Sequence, residues 1–222
     1  MEFIVAIDGP AGSGKSSVAK NIAKRMEFTY LDTGAMYRAV TFKFLKEKID
    51  YADMEKVREI LKKTKIDMRG TSIYVDGENI SVEIRKREVT ALVSKTAALK
   101  EVRESMVEQQ RAISKGKKVI LDGRDIGTAV FPNADVKIFL VATSQERAAR
   151  RVKDYERLEQ KVSYEEVLKE IVERDKADME RENSPLEKAK DAVEVDTTSL
   201  TINEVEDRIV EVIEKVMIDK IL

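Results

Sequence analysis

The sequence predicts a three-layer α/β sandwich, a five-stranded parallel sheet with helices on both faces. Five short apolar runs alternate with amphipathic segments, as a sheet buried on both sides requires. The first run, Phe3-Ile4-Val5-Ala6-Ile7, leads through Gly9-Pro10-Ala11-Gly12-Ser13-Gly14-Lys15-Ser16 into a helix, and that octapeptide fits G-x-x-x-x-G-K-[ST] without a mismatch. Strand, phosphate loop and helix in this order mark the P-loop NTPase form of the sandwich. Between residues 65 and 82 the pattern shifts to short β-type runs around Asp76-Gly77, which predicts a small antiparallel insert outside the main sheet.

In chain order, residues 17–25 read as a helix with Val18, Ala19, Ile22 and Ala23 inward. Residues 28–31 are a short strand. Asp32-Thr33-Gly34 then caps a helix expected from near Ala35 through Phe44, with Arg38 about one turn in. A second amphipathic helix runs from Glu55 to Lys63 on Val57, Ile60 and Leu61. The insert comprises runs at 65–69, 72–75 and 78–82. Residues 83–114 are mostly helical with a break near 97–100, and Gly116 ends them.

Strands follow at 118–122 and 136–141. From Ser144 the chain is helical and crowded with Arg147, Arg150, Arg151 and Arg157; it pauses at 159–162 and restarts at the capping box Ser163-Tyr164-Glu165-Glu166, running towards Arg181. Ser184-Pro185 stops it. Residues 192–196 form the last strand, and Thr201-Ile202-Asn203-Glu204 caps a closing helix. Ligands of such a sheet bind at the carboxyl ends of its strands, where the turns after Ile7, Leu31 and Asp122 would all open.

Composition narrows the chemistry. The 222 residues suffice for one sizeable core but not for two full-size domains, and 41 basic against 42 acidic side chains leave a net charge of −1. That balance suggests no general nucleic-acid or membrane binder. No Cys removes disulfides, thiolate nucleophiles and thiolate zinc sites, and suits a reducing cytoplasm; no His removes the commonest general base and metal ligand. What remains is Lys, Arg, carboxylates, hydroxyls, backbone amides and a hard cation, and phosphoryl transfer needs only those. Neither a secretory leader nor a run of about 18 apolar residues is evident.

In the phosphate loop, Gly9 to Ser17 would cradle a nucleotide triphosphate, Lys15 would reach its β- and γ-phosphates, and the Ser16 hydroxyl would ligate Mg²⁺. Several neighbours read two ways. Asp32-Thr33 serves either as a helix cap or as part of a site with Arg38. Asp122 is either an acid holding Mg²⁺ through water or only the end of a strand. Arg174, Asp178 and Arg181, spaced i, i+4 and i+7 on one helix face, are either a binding set or a solvated ion-pair ladder. No Asn-Lys-x-Asp guanine box occurs, and the number of Arg residues placed for the sheet edge points to a second phosphate-bearing substrate.

Four blocks make the likeness specific: Gly9 through Ser17; Leu31-Asp32-Thr33-Gly34-Ala35-Met36-Tyr37-Arg38; Asp122-Gly123-Arg124-Asp125-Ile126-Gly127-Thr128 with Val130-Phe131-Pro132; and Ser184-Pro185-Leu186 through Asp196-Thr197-Thr198. In this order they resemble the bacterial cytidylate kinases over essentially the whole chain. The resemblance implies phosphorylation of CMP and dCMP from ATP with Mg²⁺, on a nucleoside monophosphate kinase core. It implies one domain over 1–222: a core of about 1–64 and 115–222, an insert of about 65–114 in the monophosphate-binding region, and a short helical lid of about 150–170.

It further places Thr33 and Arg38 near the monophosphate and its base, and Ser94, Arg103, Arg124 and Asp125 at cytosine or the acceptor phosphate. Arg174, Asp178 and Arg181 fall in the family's spacing for phosphate and ribose. Lys100 departs from the pattern, standing where the family commonly has a proline. Chemically, a pocket of Arg and Ser donors with one carboxylate suits cytosine, whereas Asp125 would face a uracil carbonyl with no proton between them. Such mismatched buried groups are rejected by about 10⁴-fold.

The expected reaction moves the γ-phosphoryl group of ATP onto CMP, with Lys15, Arg150, Arg174 and Arg181 as catalytic cations, Arg150 and Arg157 as lid contacts to ATP, and Ser16 as metal ligand. The attacking phosphate is already anionic, so no general base is needed. UMP or AMP as acceptor, or a nucleotide-dependent switch without small-molecule phosphorylation, are the competing readings. A monomer is expected, since no leftover apolar helix face is evident, and a cytoplasmic location with no nucleic-acid or membrane partner is expected from the composition.

Overall fold

β1 (Phe3–Asp8) is buried at every position, which is why its sequence is continuously apolar instead of alternating. It lies between β6 (Lys118–Gly123) and β7 (Val136–Val141), parallel to both, and β8 (Val193–Asp196) pairs parallel with β7. With β2 (Thr29–Asp32) at the far edge the five-stranded sheet runs β2-β6-β1-β7-β8. Register sets the site: Ile7 pairs with Asp122, and Asp8 with both Gly123 and Phe139, so β1 and β6 end level while β7 runs two residues further, to Val141. This computed structural model describes residues 2–157 and 159–221. It divides into one unit made of the first thirty residues with the chain from Gly116 onward, and another made of Leu31–Lys115.

In the first unit, α1 (Lys15–Arg25) buries Val18, Ala19, Ile22 and Ala23 as its periodicity predicts. They join Phe3, Val5 and Ile7 and the inner face of α8 (Ile202–Ile221), contributed by Val205, Ile209, Val210 and Ile213. Cutting a fully buried member such as Ile22 or Ile209 to Ala would cost about 2–5 kcal/mol. The Thr201 cap of α8 is reciprocal: the Glu204 amide donates to Thr201 Oγ1 at 3.3 Å, and the Thr201 amide to Glu204 Oε2 at 2.8 Å. α6 (Ser144–Arg157) and α7 (Tyr164–Glu180) make the Arg-rich hairpin, packed on Ala148, Val167 and Ile171. Position 158 of the expected lid lies outside the described residues.

The second unit holds α2 (Thr33–Lys46), α3 (Met54–Lys63), α4 (Arg87–Ala98) and α5 (Lys100–Ser114), with an antiparallel sheet of β3 (Ile66–Arg69), β4 (Ser72–Val75) and β5 (Glu78–Asn79). Asp76 and Gly77 both take positive φ, 52° and 86°, the two-residue hairpin turn that Asp-Gly predicts. β5 stops at Asn79 instead of reaching residue 82. There Asn79 Oδ1 accepts from the Ser81 amide and hydroxyl, and Ser81 Oγ accepts from the Ile73 amide, so side-chain oxygens replace the ladder carbonyls. α2 starts at Thr33, earlier than expected, because Asp32 caps it by accepting from the Ala35 amide at 2.7 Å. α4 and α5 break at Leu99, whose extended backbone (φ −70°, ψ 126°) appears within the predicted window despite Lys100 replacing proline.

Candidate active site

The phosphate loop is shaped by what glycine alone tolerates. Gly9 has φ 152°, and a Cβ there would sit 2.3 Å from the Leu140 carbonyl oxygen of β7. Lys15 opens α1, is 5% exposed, and donates from Nζ to the Pro10 carbonyl at 2.9 Å. Its ammonium is pushed well below its ordinary value, first by burial and then by the Arg124 guanidinium, with Arg174 adding to the fall and Asp122 and Asp178 opposing it. A lysine so destabilised as a cation gains most from an incoming polyanion.

The Ser16 hydroxyl donates to Asp122 Oδ2 at 2.6 Å, and Tyr30 holds the other carboxylate oxygen at 2.8 Å. Asp122 thus stands beside the hydroxyl expected to ligate Mg²⁺. Among the described residues no group of three or more acidic side chains surrounds a metal position. One hydroxyl and one carboxylate fit Mg²⁺, which keeps several waters and takes its remaining oxygens from substrate phosphates.

Around Lys15 the first unit gathers the arginines of distant segments. Arg124 Nε donates to Asp178 Oδ2 at 2.8 Å, both side chains largely buried. Burial alone would raise the Asp178 carboxyl, but Arg124, Arg174 and Arg181 together hold it below its ordinary value. Arg181 pairs with Asp125 at 3.4 Å and donates to the Ser184 carbonyl at 2.7 Å. The expectation of one helical face for Arg174, Asp178 and Arg181 needs correcting. α7 ends at Glu180, and Arg181 is its extended C-cap (φ −64°, ψ 139°), bent back by that bond to Ser184. Since Arg181 and Asp178 are buried, a solvated ion-pair ladder does not describe them.

In the second unit Thr33 is 2% exposed at the start of α2. Arg38 pairs with Asp32 at 3.2 Å, and the pair spans Gly34, where a Cβ would come within 3.2 Å of both. Buried Arg103 lies over the Tyr37 ring at 5.3 Å and donates to the Ala97 carbonyl, across the α4–α5 break. Ser94 is half-buried on α4.

The hairpin arginines separate by contact. Arg150 donates both terminal nitrogens to Thr197, at 3.0 Å to its hydroxyl and 2.6 Å to its carbonyl, and so is bound to the segment after β8. Arg157 is exposed, 3.4 Å from Asp154, and Arg151 lies over the Tyr155 ring. Arg147, which sequence could not tell from its neighbours, is the buried one. It donates to the Ala11 carbonyl of the phosphate loop at 2.8 Å, to the Ala142 carbonyl at 3.0 Å and to Asp175 at 2.6 Å. Asp8 was also missed: its carboxylate accepts from the Ile126 and Gly127 amides and carries no motif signal beyond preceding Gly9.

A triphosphate cradle alone serves many proteins, but one surrounded by buried arginines for a further anion belongs to a P-loop kinase of small phosphorylated substrates. The cytidylate kinase family model matches residues 5–215. The cytidylate kinase of Fusobacterium nucleatum is 52% identical over 214 residues, spanning 96% of this chain and 98% of the relative. That of Bacillus subtilis is 48% identical over 215 residues, 95% and 96% of the two chains. The chain belongs to the cytidylate kinase family. In fold it also resembles an uncharacterized protein from Eubacterium ventriosum, with TM-score 0.55, 12% identity, and 96% and 99% of the two chains covered.

Proposed function

We propose that the protein transfers the γ-phosphoryl group of ATP to the 5′-phosphate of CMP or dCMP, giving ADP and CDP or dCDP. The supporting observation is the setting of Lys15, a buried ammonium in the first turn after the phosphate loop, with Arg124, Arg174 and Asp178 around it. The triphosphate takes the Gly9–Ser17 cradle, with Lys15 against its terminal phosphates. Ser16, with Asp122 behind it, would hold Mg²⁺, which would supply charge neutralisation there. Arg124, Arg174 and Arg181, steadied by Asp178 and Asp125, take the acceptor phosphate, and Asp125 reads the cytosine amino group. In the second unit, Thr33, Arg38, Ser94 and Arg103 are the residues that the family resemblance assigns to the monophosphate and its base.

The acceptor oxygen is already anionic, so alignment and cation placement carry the rate, and a chain without His is sufficient. Arg150 reaches the nucleotide only by leaving Thr197, and exposed Arg157 is the lid residue that ATP would recruit. Core, insert and lid act in this reading as one kinase domain, a cytoplasmic monomer. Among the described residues no helix is long and apolar enough to cross a membrane. A coupled ADP-release assay across CMP, dCMP, UMP and AMP tests the proposal: release stimulated most by the cytidine nucleotides is expected. ATP turnover indifferent to any monophosphate would favour the switch reading.

A further inference from the structure

The loop carrying Arg124 and Asp125 is fastened by a carboxylate to which phosphoryl transfer gives no role. Asp8 ends β1, 4% exposed and in register with Gly123. Its Oδ1 accepts from the Ile126 amide at 2.8 Å and its Oδ2 from the Gly127 amide at 2.7 Å. Two such donors need two acceptors, which a carboxylate supplies and a carboxamide does not.

The rest of the loop closes over this clamp. The Asp125 carbonyl accepts from the Ala129 and Val130 amides at 2.9 and 3.1 Å, making one wide turn over Ile126–Val130. Gly127 passes so close that a Cβ would lie 3.1 Å from Lys137 Cδ and 3.4 Å from Asp8 Oδ2. The Lys137 ammonium, in turn, holds the Pro132 carbonyl and the Asp191 carboxylate. Asp8 thus anchors the end with Arg124 and Asp125, and Lys137 the other.

We propose that Asp8 is a positioning residue for the acceptor nucleotide: through the Ile126 and Gly127 amides it fixes the backbone from which Arg124 and Asp125 project, and with it the choice of cytosine over uracil. The inference rests on the reading of Arg124 and Asp125 as acceptor-binding residues. Hydrogen bonds weaken steeply with misalignment, so a small drift of this loop removes base selectivity before it removes the fold. Lys15 has its own hydrogen bond, to the Pro10 carbonyl, and Asp8 acts on it only through charge, so ATP recognition shares little of the loss.

The test is steady-state kinetics of wild type, Asp8→Asn and Gly127→Ala with CMP and with UMP. Asp8→Asn should raise KM for CMP about tenfold, the effect of one lost charge-assisted hydrogen bond, and lower the CMP/UMP ratio of kcat/KM. KM for ATP should stay within about twofold. Gly127→Ala crowds the same clamp from the loop side and should move the ratio the same way. Its Cβ meets mid-chain carbons of Lys137 at 3.1 and 3.3 Å, a crowding relieved by a shift of a few tenths of an ångström, so with its folding checked by a thermal melt it decides alone if Asp8→Asn does not fold. Folded variants that keep the wild-type CMP/UMP ratio while losing kcat equally for both nucleotides would overturn the proposal. Wild-type enzyme that releases no ADP in response to CMP would instead refute the reading beneath it.

Discussion

Burial and two arginines disfavour the charge of Lys15, and an incoming anion would add to the partial relief from Asp122 and Asp178. Lys15→Ala should therefore cut kcat by about 10²- to 10³-fold, as loss of a preorganised charge donor does, with CMP affinity much less affected. Rapid-quench turnover with CMP titration checks this, and unchanged turnover would exclude Lys15 from the chemistry. Asp8 gives a prediction of opposite sign. Burial drives its carboxyl from 3.8 up to about 7 against the pull of the Gly127 and Ile126 amides, with Asp125 adding to the rise. Relative to the unfolded chain the fold thus disfavours the Asp8 carboxylate: stability is highest below about pH 4 and falls as pH climbs through about 7, while the two-acceptor clamp is complete only above that range. Urea unfolding between about pH 5 and 8 should show this decline in wild type and a flatter profile in Asp8→Asn. The positions of Lys15 and Ser16 at the phosphate loop were legible because they follow from local backbone geometry. Asp8 was not, because its partners lie 118 and 119 residues away.

Among the elements, the α4–α5 break offers the cleanest test. Leu99 already has the extended backbone that a following proline demands, and Lys100 is the first residue of α5, where proline is favoured. Lys100→Pro should stabilise the protein by about 0.4–1 kcal/mol through the unfolded chain. Differential scanning calorimetry should show a small rise in Tm, and a fall would mean that the Lys100 amide has a role in the fold. The break was readable from composition even without the proline. The early end of β5 was not, since Asn79 and Ser81 compete with the ladder only once Ile73 lies opposite. The bend at Arg181 escaped for a similar reason: periodicity carries a helix forward until something stops it, and here the stop is a long-range ion pair with Asp125 and a bond to Ser184.

For the molecule as a whole, 37% charged residues are arranged in two different ways. Among the described residues, many ion pairs, such as Arg25–Asp207 and Lys63–Glu59, join exposed side chains, whereas Arg124–Asp178, Arg147–Asp175 and Arg181–Asp125 are buried. Exposed pairs contribute little and are screened by salt. Raising ionic strength to about 1 M should thus weaken CMP binding markedly while moving the thermal midpoint by only a few degrees. Calorimetric titration beside thermal melts measures both, and a melt that collapses in step with binding would contradict this division. The sheet, the insert and the cradle were legible because apolar runs and turn residues declare themselves locally. The arginine partners were not: helix positions 147, 150, 151 and 157 look alike until the sheet decides which one points inward.

That inward arginine has a mechanical consequence. Arg147 grips Ala11 in the cradle and Asp175 on α7 with the same rigid guanidinium, at 2.8 and 2.6 Å. Any tilt of α7 must either snap one of these bonds or drag the phosphate loop along with it. The hairpin and the loop beneath the nucleotide are geared together, like a latch whose handle and bolt are cut from one piece.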